Sequence, residues 1–306
     1  MYYVIVSMRP AQAILKNGFV LAALVFAQKL TDKSSLIRSL SAYVIFCLLS
    51  GCVYVMNDIF DRREDAAHPV KRSRPIASGK LSPNAAWASV FIICSLSLAA
   101  SLRLDRAFAF VAIVYLLVSI LYSLFLKETV ILDALTVGAG FILRAVAGTV
   151  ILNVEISPWF LVCTLLLSLF LAFSKRRYEL TLLSASCSSG AGEQDELSAL
   201  PAHRKVLDKY SAHLLDQIIA VTTSATLVTY LLYTMEASVL GKFHTKYMSL
   251  TVPFVLYGIF RYLYLVHRKG EGGRPAKTLL ADKPLLLTVL FWIAAAIVII
   301  YVLPPK

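Results

Sequence analysis

The chain has 306 residues, 58% of them hydrophobic and only 16% charged, with a formal net charge of +12. Soluble domains carry about a quarter charged residues, so this balance excludes an ordinary globular fold and points to an all-α integral membrane protein. No basic domain stands apart from the apolar segments, which argues against nucleic acid as a partner; the positive excess suits anionic lipid headgroups and anionic substrates.

The first segment carries Arg9, Pro10 and Lys16 ahead of a long apolar run without a small-residue cleavage site, so it reads as a retained membrane helix rather than a removed signal. Crossing a bilayer takes about 20 apolar residues. Nine stretches meet that need: Gln12–Leu30, Leu36–Met56, Ala85–Leu102, Ala107–Phe125, Val130–Leu152, Pro158–Ser174, Leu214–Thr234, Tyr247–Val266 and Pro284–Leu303. They are expected to form one bundle and one domain over 1–306, with loops at 57–84, 175–213 and 267–283. Most loop Lys and Arg fall in those three loops, which places them and the N-terminus in the cytoplasm of a plasma-membrane protein. Cys47, Cys52, Cys94, Cys163 and Cys187 form no Cys-x-x-Cys pair, so neither a disulfide framework nor a zinc site is expected. The segment Ser184–Leu200, rich in Ser, Gly and Ala, reads as a flexible surface loop.

The first of these loops carries Asn57-Asp58-Ile59-Phe60-Asp61-Arg62-Arg63-Glu64-Asp65 and then His68-Pro69, Lys71-Arg72 and Arg74-Pro75. If the second apolar helix continues past Met56, turning about 100° per residue, Asn57, Asp58, Asp61, Glu64, Asp65 and His68 share one face. Like charges one turn apart repel, so such a face calls for a counter-cation. Mg²⁺ is the hard ion that carboxylates can share with phosphate oxygens, and it would neutralise a departing diphosphate. Lys71, Arg72 and Arg74 are donors suited to phosphate oxygens. Pro69 and Pro75 stop a helix and fold this basic run back over the acids. The plainer reading is a solvated helix end salt-bridged by Arg62 and Arg63.

Past the sixth apolar segment stands Lys175-Arg176-Arg177-Tyr178-Glu179, with three bases and one acid. Two carboxylates for a second metal are lacking there, so the expectation is direct grip on an anion, with Glu179 one turn from Lys175 to orient it. Arg144, deep in the fifth segment, either faces a polar cavity or pairs with Asp133, about three turns away. Arg261 sits nearer its helix end, where snorkelling explains it.

The first stretch, through Ile76-Ala77-Ser78-Gly79, resembles the leading signature of the UbiA-type intramembrane prenyltransferase superfamily, whose fold has nine helices. The second resembles the branch typified by decaprenyl-phosphate phosphoribosyltransferase, as do Asp133, Leu143-Arg144-Ala145-Val146-Ala147-Gly148, His203-Arg204-Lys205-Val206-Leu207, Tyr210-Ser211 and Asp282-Lys283-Pro284. The resemblance implies Mg²⁺-dependent transfer of a phosphoribosyl group from 5-phosphoribosyl 1-diphosphate to a polyprenyl monophosphate. Asp58, Asp61 and Asp65 would be the catalytic metal ligands. Lys16, Asn57, Lys71, Arg72, Arg74, Arg144, Lys175, Arg176, Arg177, Tyr178 and Glu179 would bind substrate. The segment Arg9–Asn17 departs from the branch's usual opening, lacking its tryptophan, so the carry-over to Lys16 is weak. The competing enzyme reading is prenyl transfer from a polyprenyl diphosphate to an aromatic or other acceptor. A transporter would instead favour broken helices and polar groups at mid-membrane. The sequence leaves open whether the chain works as a homo-oligomer.

Overall fold

A computed structural model of the chain describes residues 1–67, 71–155, 157–188, 207–236, 247–268 and 275–302, and among these there is no β-strand. The α-helices in chain order are α1 (Tyr2–Met8), α2 (Pro10–Phe26), α3 (Lys33–Phe60), α4 (Arg62–Ala67), α5 (Pro83–Leu104), α6 (Arg106–Leu124), α7 (Leu132–Leu152), α8 (Pro158–Ser188), α9 (Ala212–Met235), α10 (Val252–Arg268), α11 (Pro275–Ala281) and α12 (Lys283–Tyr301). Several begin where a short polar side chain can satisfy orphan backbone donors. Asp32 accepts from Ser35 N at 3.0 Å, Asp105 from Phe108 N at 2.9 Å, Ser211 from Leu214 N at 3.1 Å, and Asp282 from Leu285 N at 2.9 Å.

Among the described residues, eight helical segments are long and apolar enough to cross a bilayer: α3, α5, α6, α7, α8, α9, α12 and Tyr247–His267, a 3-10 turn running into α10. The shorter α2 has 17 residues. These correspond to the nine apolar stretches, with two boundaries that matter. Helix α3 runs to Phe60, beyond Met56, and carries Asn57 and Asp58 on the helix itself; α8 runs past Ser174 and carries Lys175–Glu179. Parts of the expected loops 57–84, 175–213 and 267–283 are therefore helical. His68, Pro69, the 189–206 part of the loop 175–213, which includes most of the Ser/Gly-rich segment and His203, Arg204 and Lys205, and the 269–274 part of the last loop lie outside the described residues.

Two apolar clusters build the bundle. One joins Val20 and Leu24 of α2, Phe46 and Leu49 of α3, Phe108 and Tyr115 of α6, and Ala147 and Ile151 of α7. The other joins Phe170 and Phe173 of α8, Leu215 of α9, Leu265 of α10 and Leu285 of α12, with Ala134 of α7. Helix α7 thus lies between the two halves. Small residues let it approach its neighbours, as is general where packing rather than hydrophobicity drives helix association. A Cβ on Gly148 would collide with the Val20 carbonyl oxygen of α2, and one on Gly138 would stand 2.8 Å from Leu165 Cδ1 of α8. The outer faces expose Phe91, Leu96, Phe110 and Val221, a surface suited to lipid rather than water. Ion pairs join the C-terminal part of α3 to the start of α2, α8 to the starts of α7 and α9, and α10 to the residue capping α12, and so gather at one end of the bundle.

Candidate active site

The acidic stretch folds as a nearly continuous helix with a break. Asp61 N donates to Asn57 O at 2.9 Å and Asp65 N to Asp61 O at 2.8 Å, so helical hydrogen bonding carries across Asp61 from α3 into α4. Asp58 and Asp65 end up buried and converge on one nitrogen: Arg74 Nη1 lies 3.1 Å from Asp58 Oδ1 and 2.5 Å from Asp65 Oδ2. Arg9 Nη2 also reaches Asp58, and Lys71 Nζ is 3.7 Å from Asp65 Oδ1. Asp61 is only partly buried and meets Lys127 Nζ at 2.6 Å. Glu64, Arg62 and Arg63 are exposed. The face expected for Asp58, Asp61, Glu64 and Asp65 is therefore divided in its surroundings: Asp58 and Asp65 are buried against Arg74, Asp61 meets Lys127 and Glu64 is exposed.

The basic run folds back as its prolines suggest, and packing holds it there. Ile76 is fully buried among Cys52, Val55, Met56, Ala86 and Val90, between α3 and α5. Ser78 N bonds to Arg74 O at 2.8 Å and Leu81 N to Pro75 O at 2.9 Å. The turn passes through Gly79 at φ 75°, a region that favours glycine. Arg74 is thereby fixed over the carboxylates, while Arg72 remains exposed.

Among the described residues, no three His, Cys, Asp or Glu side chains form a ready metal cage. Two carboxylates still converge on one nitrogen, and Asp65 Oδ1 and Asn57 Oδ1 are buried without a hydrogen bond. That donor set fits a hard cation bound by one or two carboxylates and completed by phosphate oxygens and water.

The second cluster is more internally paired than its sequence suggests. Lys175 Nζ lies 3.5 Å from Glu179 Oε1, the expected one-turn pair. Arg176 is buried, its Nε 2.7 Å from Asp133 Oδ2. Arg177 makes a forked contact with Asp216 of α9, at 2.8 and 3.3 Å, and also reaches Thr181. Tyr178 is half-buried. Tyr210 donates to Asp133 Oδ1 at 2.9 Å, and burial pushes its hydroxyl up to about 12, so it stays a neutral donor. Arg261, expected to snorkel, is instead clamped by Asp282, at 3.1 and 2.8 Å.

Asp133 is thus the partner of Arg176 rather than of Arg144. Arg144 is buried with neutral acceptors instead: Nε to Asn17 Oδ1 at 2.7 Å, Nη1 to Gly140 O at 2.6 Å and Nη2 to the Tyr115 hydroxyl at 2.9 Å. Its guanidinium also lies 4.8 Å from the centre of the Tyr115 ring, a favourable cation–π placement. No described carboxylate neutralises it. Lys16 and Arg9 both approach the Tyr54 ring, at 5.6 and 5.4 Å, on the side of the acidic cluster. Arg9 and Lys127 touch the acidic residues although the sequence assigns neither of them to the site. The Arg9-Pro10 helix boundary and the isolation of Lys127 in a short loop were the only signals available.

A bundle of apolar spans that brings a carboxylate–arginine cluster and a basic cluster to one end defines a polytopic membrane protein with its charged side chains gathered at that end. The chain belongs to the UbiA prenyltransferase family, whose model matches residues 18–177, and it is a transferase. It is 30% identical over 303 residues to decaprenyl-phosphate phosphoribosyltransferase of Corynebacterium glutamicum, covering 97% of this chain and 86% of that one. Against the enzyme of the same name from Mycobacterium tuberculosis the identity is 32%, covering 95% and 92%. The fold matches a UbiA homologue from Archaeoglobus fulgidus bound to GPP and Mg²⁺, with TM-score 0.68 and 16% identity over 98% of this chain and all of that one.

Proposed function

We propose that the protein transfers the 5-phosphoribosyl group of 5-phosphoribosyl 1-diphosphate to a polyprenyl monophosphate, releasing diphosphate. The observation that carries this reading is the asymmetry of the two clusters. The Asp58–Asp65 side brings two carboxylates to one nitrogen, while on the Lys175–Glu179 side each acid is taken by a separate base: Glu179 by Lys175, Asp133 by Arg176 and Asp216 by Arg177. One metal–diphosphate site and one phosphate site suit a sugar diphosphate donor and a phosphate nucleophile. The name that the relatives carry, decaprenyl-phosphate phosphoribosyltransferase, supports a polyprenyl phosphate and a phosphoribosyl group as the reacting parts.

Asp58, Asp61 and Asp65 would hold Mg²⁺, which would supply charge neutralisation for the departing diphosphate. Arg74 and Lys71 lie against these carboxylates and would donate to the same diphosphate oxygens. As the ribose carbon 1–oxygen bond breaks, the electron pair leaves with diphosphate, and an oxygen of the lipid phosphate bonds to that carbon. The nucleophile is already ionised, so positioning and electrostatic stabilisation can supply most of the rate. Lys16, Asn57, Arg72, Arg144, Lys175, Arg176, Arg177, Tyr178 and Glu179 form the remaining substrate-facing set in this reading. The excess of loop Lys and Arg at this end supports a cytoplasmic site in the plasma membrane, with the N-terminus inside.

Membranes containing the protein, supplied with Mg²⁺, polyprenyl phosphate and ribose-labelled donor, should form an organic-extractable labelled lipid. No labelled lipid with correctly folded protein and several chain lengths would overturn the reading.

A further inference from the structure

Asp133 is fully buried at the start of α7, and both its carboxylate oxygens are engaged: Oδ2 by Arg176 Nε, Oδ1 by the Tyr210 hydroxyl. That hydroxyl in turn accepts the backbone N–H of Ile131 at 2.7 Å. Ile131 stands at φ 68°, a conformation β-branched residues rarely adopt and one that persists only where the surroundings impose it. The start of α7, the charged end of α8 and the turn before α9 are tied together at one buried carboxylate.

Stability alone does not account for this arrangement. A buried ion pair is weak as a stabilising device because both charges lose water. The Tyr210 ring packs edge-on to Phe173, with centroids 6.4 Å apart, a contact that phenylalanine would keep. What the carboxylate and the hydroxyl add is orientation. Asp133 takes the Nε of Arg176, and the two terminal nitrogens lie outside that hydrogen bond. Lys175 adjoins it in sequence, and Glu179 Oε2, less than one turn further along α8, is buried without a hydrogen bond.

We infer that Asp133 and Tyr210 are positioning residues for a phosphomonoester subsite built on Arg176 and Lys175, holding the Arg176 guanidinium so that its terminal nitrogens face the ligand. The inference rests on the proposed reaction only for the identity of the ligand, which is either the donor's 5-phosphate or the lipid phosphate.

The test is equilibrium titration of the purified full chain with ribose 5-phosphate and, separately, with farnesyl phosphate, using the unmodified protein, Tyr210→Phe and Asp133→Asn. One probe is expected to bind the unmodified chain and to lose affinity about tenfold in both variants, roughly the worth of one hydrogen bond to a charged group, while Tyr210→Phe still unfolds in a cooperative transition above the assay temperature. Which probe weakens identifies the source of the phosphate. In turnover, the KM of the matching substrate should rise with kcat little changed, a split that loss of folded protein does not produce. Unchanged affinities in Tyr210→Phe, or no binding of either probe by the unmodified chain, would overturn the inference. Should Asp133→Asn fail to fold, Tyr210→Phe decides alone. Absence of phosphoribosyl transfer would defeat the proposed reaction and leave this binding comparison standing.

Discussion

Arg74 and Asp65 form a contact of 2.5 Å in which the same arginine nitrogen also serves Asp58. One guanidinium therefore compensates two buried carboxylates, and its loss would leave both charges short of a partner, the costly half of a broken buried pair. Arg74→Gln is expected to lower the melting temperature of the detergent-solubilised protein by several degrees when divalent ions are chelated. Mg²⁺ should restore more of the midpoint in the variant than in the unmodified chain, because a ligand stabilises the state it binds. Thermal unfolding with and without Mg²⁺ reads both effects, and equal Mg²⁺ shifts would count against a cation at these carboxylates.

Arg144 behaves differently because its partners remain paired without it. Ser50 Oγ lies 3.2 Å from Asn17 Oδ1 and 3.0 Å from the Tyr115 hydroxyl, so Arg144→Met strands no carboxylate. The melting point should stay within a few degrees while turnover falls about tenfold or more, as expected when a fixed positive charge near an anionic transition state is removed. A fall in stability matching the fall in activity would assign Arg144 a packing role instead.

Gly148 sets the closest crossing of α2 and α7. Gly148→Leu should destabilise the fold by about 1–3 kcal/mol or more, since the backbone of α2 cannot yield as a flexible side chain would. Gly18→Ala is the matched comparison: a Cβ there meets nothing within 4 Å, and replacing a mid-helix glycine gains about 0.5–1 kcal/mol. Denaturation midpoints of the two variants should move in opposite directions.

Much of the fold is legible in the sequence because a lipid-facing helix needs its apolar length whatever it packs against, and because Asp32, Asp105, Ser211 and Asp282 mark helix starts by their capping chemistry. The acidic and basic runs also read correctly as neighbours, since Pro75 and the Gly79 turn force Arg74 back over Asp58 and Asp65. Pairing across the bundle is what the sequence hides. Arg176 and Arg177 are adjacent bases, yet a rotation of about 100° along α8 sends one to Asp133 on α7 and the other to Asp216 on α9. Nothing in their spacing distinguishes them. The division of the acidic face escapes for a similar reason: the composition of the stretch does not tell that Asp58 and Asp65 are buried against Arg74 while Glu64 is left exposed.

In the proposed reaction the diphosphate held over Asp58 and Asp65 belongs to the sugar donor, and the lipid phosphate is the nucleophile. Replacing Asp58 by Asn should abolish Mg²⁺-dependent turnover, but the fate of the oxygen atoms separates this reaction from prenyl transfer. Polyprenyl phosphate carrying ¹⁸O in its phosphate oxygens should yield a lipid-linked phosphoribose that retains all the label, and the released diphosphate should carry none. Label in the released diphosphate, or a product in which the polyprenyl group has left its own phosphate, would contradict the account.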